Sequence, residues 1–145
     1  MKILFAAVMM VSLALCAPAR ASDPLAGVKG EKRVLLLFAK SRSDAALDQQ
    51  VDLFRERRPD MTDRDLVLLV SAGSQDTMAA IGYLSLDRGS NRRLREQFMP
   101  GERGLTMVLV GLDSTELGRW TQVTMPDIVF DAIDKAAEST AAVTN

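Results

Sequence analysis

The chain has 145 residues, with 18 Lys and Arg against 19 Asp and Glu, a single cysteine and no histidine. A net charge of −1 excludes a strongly basic nucleic-acid binder and a like-charged disordered tail, and the length suits one domain. Without histidine the chain lacks both the commonest metal ligand and the commonest acid–base catalyst.

Met1 to Ala21 reads as a cleaved signal peptide. Lys2 precedes an apolar run from Ile3 to Cys16 broken only by Ser12, Pro18 ends the run, and Ala19-Arg20-Ala21 sets small residues before a cleavage site at Ser22. The run is about 14 residues long, short of the ~20 that span a bilayer. The expected product is exported, periplasmic or secreted, with no stable transmembrane segment after cleavage. Lipid anchoring through Cys16 is disfavoured by the bulky Leu15 before it. Cleavage would leave about 124 residues with a net charge of about −3 and no cysteine, so stability must come from the core without disulfides.

Residues 22–32, with Asp23-Pro24 and two glycines, read as an exposed leader. Val34 to Phe38 is a continuous apolar run, the mark of a strand buried on both faces. After the polar turn Lys40 to Asp44, where Ser43 or Asp44 would cap, Leu47, Val51 and Phe54 define a one-faced helix ending before Pro59. Asp60, Asp63 and Asp65 lack the glycine and terminal glutamate of a calcium loop and read as a turn with Asx hydrogen bonds. Leu66 to Val70 is a second buried strand. Gln75 to Leu86 fits either a short helix through Met78, Ile81 and Leu84 or a small hairpin.

Ser90 or Asn91 would cap a helix through Leu94 and Phe98 that stops at Pro100-Gly101. Leu105 to Val110 is a third strand, turning at Asp113-Ser114 into an edge strand, Glu116 to Trp120, with Leu117 inward. Thr124 would cap a last helix carrying Val129, Ile133, Ala136 and Ala137, and residues 139–145 read as a frayed tail. Leu36, Leu68 and Val108 are expected at the centre of the core. The order predicts an α/β domain over residues 33–138: a thioredoxin-like βαβ unit followed by a ββα unit, in a three-layer α/β/α sandwich. A flavodoxin-like domain fits less well, because the third strand turns straight into a hairpin.

Arg33-Val34-Leu35-Leu36-Leu37-Phe38-Ala39 with Ser41, then Arg64-Asp65-Leu66-Val67, then Leu109-Val110-Gly111-Leu112-Asp113, carry a resemblance. The chain resembles bacterial members of the thioredoxin-like domain-of-unknown-function family shared with secreted sushi-repeat and Equarin-type proteins. Two departures stand out: Gly111-Leu112-Asp113-Ser114 replaces the family's Gly-Lys-Asp-Gly hairpin turn, and Lys135-Ala136-Ala137 stands where a Met-Pro-Met-Arg tail is expected. The resemblance implies a relative of thioredoxins and peroxiredoxins without redox chemistry, and it brings no activity.

In a redox-active thioredoxin fold the reactive thiol sits at the turn between the first strand and its helix, where a helix N-terminus lowers its pKa. Here that turn is Lys40-Ser41-Arg42-Ser43-Asp44, so thiol–disulfide exchange and peroxide reduction are excluded for the cleaved chain, as is a Ser-His-Asp hydrolase. The reading assigns no catalytic residue, metal ligand or cofactor. Ser41, Arg42 and Ser43 are the candidate contacts for an anionic ligand or an envelope protein. Arg88, Arg92, Arg93, Arg95 and Arg103 are interleaved with acids and read as a solvated helix face, and Trp120 as hairpin packing. Two functions stay open: a non-catalytic binding or structural module, and an enzyme built only from carboxylate, Lys, Arg or Ser groups at the turn after the first strand.

Overall fold

Residues Val34 to Ala39 are all buried, because β1 (Arg33–Ala39) lies at the centre of a sheet covered on both faces. The computed structural model describes residues 23–73, 78–81, 89–98, 100–101 and 104–144. After β1 come α1 (Ala45–Glu56), α2 (Arg58–Asp63), β2 (Leu66–Ala72), β3 (Met78–Ile81), α3 (Ser90–Phe98), β4 (Thr106–Val110), β5 (Glu116–Trp120) and α4 (Pro126–Val143). The sheet order is β3-β2-β1-β4-β5, with β1 and β2 parallel and the other pairs antiparallel. The expected βαβ unit followed by a ββα unit is therefore present, and Leu36, Leu68 and Val108 are buried on its three central strands.

The two-residue period of each strand sorts the core into two faces. Leu35, Leu37, Leu68, Met107 and Leu109 meet α1, α2 and α4 through Leu47, Phe54, Met61, Val129, Phe130 and Ile133. Val34, Leu36, Phe38, Leu69 and Val108 point the other way, to Leu94 and Phe98 of α3. Leu117 faces the first cluster as expected, at a bulge where the β4–β5 register shifts between Leu109 and Val110.

Several local expectations are corrected. The segment before β1 is not an exposed leader: Leu25 and Val28 join the second core cluster, and the Gly30 N–H donates to the Leu112 carbonyl at 2.8 Å. The folded unit thus includes residues 23–32. Asp60 and Asp63 lie on α2, not in an Asx turn, because Pro59 falls in its first turn, where a missing N–H costs nothing. Asp60 pairs with Arg57 and Asp65 with Lys32, so the three carboxylates do not converge. Met78–Ile81 pairs with β2 as a hairpin strand, not a helix, and so supplies partners to the outer edge of β2.

Ser90 and Asn91 lie within the first turn of α3, not ahead of it as a cap. Thr124 precedes the N-cap of α4, which is Met125 and makes no side-chain bond. Residues 139–143 continue α4 instead of fraying, with the Ser139 and Thr140 hydroxyls donating to the Lys135 and Ala136 carbonyls. The signal segment, Cys16, Tyr83, Leu84, Arg88 and Arg103 lie outside the described residues.

Candidate functional site

The turn between β1 and α1 leaves the carboxyl end of the central strand, the end at which open α/β sheets place their ligands. Asp44 is the N-cap of α1. Its Oδ1 accepts from the Ala46 N–H at 2.9 Å and the Leu47 N–H at 3.4 Å. A carboxylate therefore already occupies the donors that would stabilise an anion at this helix start. Ser41, Arg42 and Ser43 are exposed, and the Ser41 and Ser43 hydroxyls lie 3.1 Å apart within hydrogen-bond reach. The structure thus brings the two candidate serines together, while the cap belongs to Asp44 and not to Ser43.

Next to this turn lies a second arrangement that the sequence reading passed over. The Gly73 N–H donates to the Ala39 carbonyl at 3.0 Å, tying the end of β2 to the end of β1. Gly73 has φ +58°, and a Cβ there would stand 2.9 Å from the Lys40 carbonyl oxygen, so only glycine fits. From α3, the Asn91 amide donates to the Gly73 carbonyl at 3.0 Å and its oxygen accepts from the Ser71 hydroxyl. Arg95 Nη2 donates to the carbonyls of Ala39, at 2.8 Å, and Ser71, at 2.9 Å. Its guanidinium stands 5.6 Å from the centroid of the Phe38 ring, a cation–π distance.

Burial pulls the Arg95 guanidinium below its ordinary pKa. The expectation that Arg95 belongs to a solvated face is corrected, whereas Arg92 is exposed and faces Glu96. The signal that could have found Arg95 is its spacing. Asn91, Leu94, Arg95 and Phe98 fall at i, i+3, i+4 and i+7, one face of α3, and a polar group on that face must meet the sheet.

Two open grooves of about 460 and 480 Å³ flank α4 and share Leu117 and Ala136, the first against Leu112 and Ala141, the second against Trp120 and Ile128. Their linings are mainly apolar, with Arg33 and Asp113 in the first and Asp131 and Lys135 in the second. Among the described residues no group of three or more His, Cys, Asp or Glu side chains is placed to hold a metal ion. Among them, too, no helix is long and apolar enough to cross a membrane.

A three-layer α/β domain of this topology has a thioredoxin-like fold, and the turn after its first strand, Lys40 to Asp44, contains no cysteine. Its fold is similar to that of the reduced 2-Cys peroxiredoxin of Plasmodium vivax, at a TM-score of 0.61 and 12% identity, covering 81% of this chain and 72% of that one. The apo form of Trgpx is also similar, at a TM-score of 0.47 and 23% identity, covering 79% and 85%. Over residues 24–139 the chain matches the family described as "Domain of unknown function (DUF4174)", and it belongs to that family. No curated protein matches the chain.

Proposed function

We propose that the protein is an exported, redox-inactive thioredoxin-like domain that acts as a binding or structural module of the cell envelope. The observation that carries this reading is the β1–α1 turn, where Asp44 caps the helix and no thiol is present. A thiolate needs free N–H donors and positive potential at that helix start, and the Asp44 carboxylate uses the first and opposes the second. Export to the periplasm or beyond is supported by Lys2, the apolar run to Cys16 and the Ala19-Arg20-Ala21 site. The resemblance to bacterial relatives of secreted sushi-repeat and Equarin-type proteins supports the same address. Ser41, Arg42 and Ser43 form the exposed surface offered to an envelope protein or an anionic ligand.

In-cell photo-crosslinking tests the reading. A photoreactive residue replaces Ser41, and in a second strain it replaces Thr62, which is exposed on α2 near the opposite end of the strands. The expected result is a discrete adduct from position 41 in the envelope fraction and none from position 62. The absence of an adduct at 41, or the same adducts from both positions, would overturn the reading. Protein recovered from that fraction should begin at Ser22.

A further inference from the structure

A cavity of about 180 Å³ opens at the carboxyl ends of β1 and β2, lined by Phe38, Lys40, Gly73, Arg95, Gly101 and Gly104. Its position differs from the helix start capped by Asp44, because none of Ser41 to Asp44 lines it. Two cations border it. Among the described residues neither Lys40 nor Arg95 has a carboxylate within ion-pair distance. Arg95 spends Nη2 on two carbonyls, and its Nε is buried without a hydrogen-bond partner. A partly buried guanidinium left without a counter-charge is costly, so such a group calls for an anion.

The remaining lining suits an anion of small size. Gly101 and Gly104 leave the backbone bare at the cavity wall, so a ligand can approach it without meeting a Cβ, whereas the Gly73 N–H is held by the Ala39 carbonyl. Gly73 and Gly104 hold positive φ, at +58° and +70°, a conformation that favours glycine and keeps these lining positions without side chains. Thr106, buried on β4 opposite Phe38, places its hydroxyl 3.8 Å from where a Cβ on Gly101 would lie. The Arg95 position is fixed from three sides, by the Ala39 and Ser71 carbonyls and the Phe38 ring, which makes the charge preorganised.

We infer that this cavity is a binding site for a small oxyanion of the phosphate, sulfate or short-carboxylate class, with Arg95 as the fixed cation and Lys40 as the mobile one. The inference does not depend on export or on an envelope partner. The cavity is a second site, at the strand ends, beside the exposed surface of Ser41, Arg42 and Ser43. With Nη2 held by two carbonyls, the guanidinium offers an anion its charge and single hydrogen bonds from its remaining N–H groups, and the exposed Lys40 adds a point charge at the cavity.

The test is a titration of the full chain, purified as the cell leaves it and labelled with ¹⁵N, using inorganic phosphate, sulfate and acetate in turn against sodium chloride at matched ionic strength. The Gly73, Gly101 and Gly104 amides and the Arg95 Nε–H signal are expected to shift saturably with at least one oxyanion and not with chloride. Lys40→Ala should weaken that binding by about twofold to fivefold, the worth of one exposed charge pair. Arg92→Ala, which removes an equal charge from the outer face of α3, should leave it unchanged. Arg95→Lys, which loses the guanidinium N–H groups, should weaken binding more than Lys40→Ala. Equal or unchanged binding in a folded Arg95→Lys protein would overturn the assignment, and the wild-type titration and Lys40→Ala stand alone if that variant does not fold. If these signals fail to saturate with all three oxyanions, or Arg92→Ala weakens binding as much as Lys40→Ala, the site does not exist.

Discussion

Gln50 and Thr124 hold each other through two buried hydrogen bonds. The Gln50 amide donates to the Thr124 carbonyl at 2.8 Å, and the Thr124 N–H donates to the Gln50 oxygen at 2.7 Å. The pair joins the middle of α1 to the residues just before α4, 74 positions apart in the chain. Thr124 has no strand or helix partner for these groups, so the Gln50 side chain stands in for backbone pairing. Replacing Gln50 by Leu keeps the volume but strands a buried donor and a buried acceptor. The expected loss is roughly 2–4 kcal/mol in a urea melt, from one to three for each unsatisfied group with some relief by water. Gln50→Glu should be more destabilising at pH 7 than at pH 4, because a carboxylate would then face the Thr124 carbonyl.

Asp44 is expected to act as a cap and not as a catalytic acid. Asp44→Ala should lower stability by about 0.5–2 kcal/mol, the range for lost N-caps, and Asp44→Asn by less. Amide exchange at Ala46 and Leu47 should speed up in the alanine variant, since those are the N–H groups Asp44 holds. Unchanged exchange at both would show that the cap is not formed in solution.

Gly118 sits beneath the indole of Trp120, two residues on along the same face of β5. A Cβ at Gly118 would stand 2.6 Å from the ring edge, so the indole must move. Trp120 is the only tryptophan, which makes its fluorescence a direct report. Gly118→Ala should change the emission maximum and cost about 1–3 kcal/mol by overpacking. Gly27→Ala, where nothing lies within 4 Å, should do neither.

Much of this architecture is legible in the residues themselves. The apolar runs at Val34–Phe38, Leu66–Val70 and Leu105–Val110 can only be strands buried on two faces, and Leu47, Val51 and Phe54 carry a helical period. The short run Met78-Ala79-Ala80-Ile81 has no such signature, since four small or apolar residues suit a helix turn as well as a strand. The unpaired outer edge of β2, a non-local feature, decides between them. The fate of Arg95 is hidden for a different reason. Its charge argues for water while its spacing argues for the sheet, and the carbonyls of Ala39 and Ser71, distant in sequence, settle the conflict. The turn at Ser41–Ser43 is legible as a turn, but its capping residue is fixed only by backbone geometry at Asp44.

Acid should weaken the fold through the carboxylates held by arginines. Arg64 grips Asp134 by two prongs, at 3.0 and 2.9 Å, and holds its pKa below the usual carboxylate range, as Arg119 does for Glu116. A carboxyl group with a lower pKa in the folded state contributes stability above its unfolded pKa and loses it as pH falls through the folded value. The loss should therefore set in below about pH 4. Both pairs are partly exposed, so each is worth only ~0.2–1 kcal/mol after solvent screening. Asp134→Asn should flatten part of the decline in urea midpoint between pH 5 and pH 2.5. An identical decline in the variant would assign it to other groups.

Turnover of insulin disulfides and of hydrogen peroxide, measured on the exported chain with a thiol reductant supplied, tests the central claim most directly. The capped, thiol-free turn from Lys40 to Asp44 predicts no rate above the reductant alone in either assay. Sustained turnover by protein shown to lack residues 1–21, and with them Cys16, would contradict it.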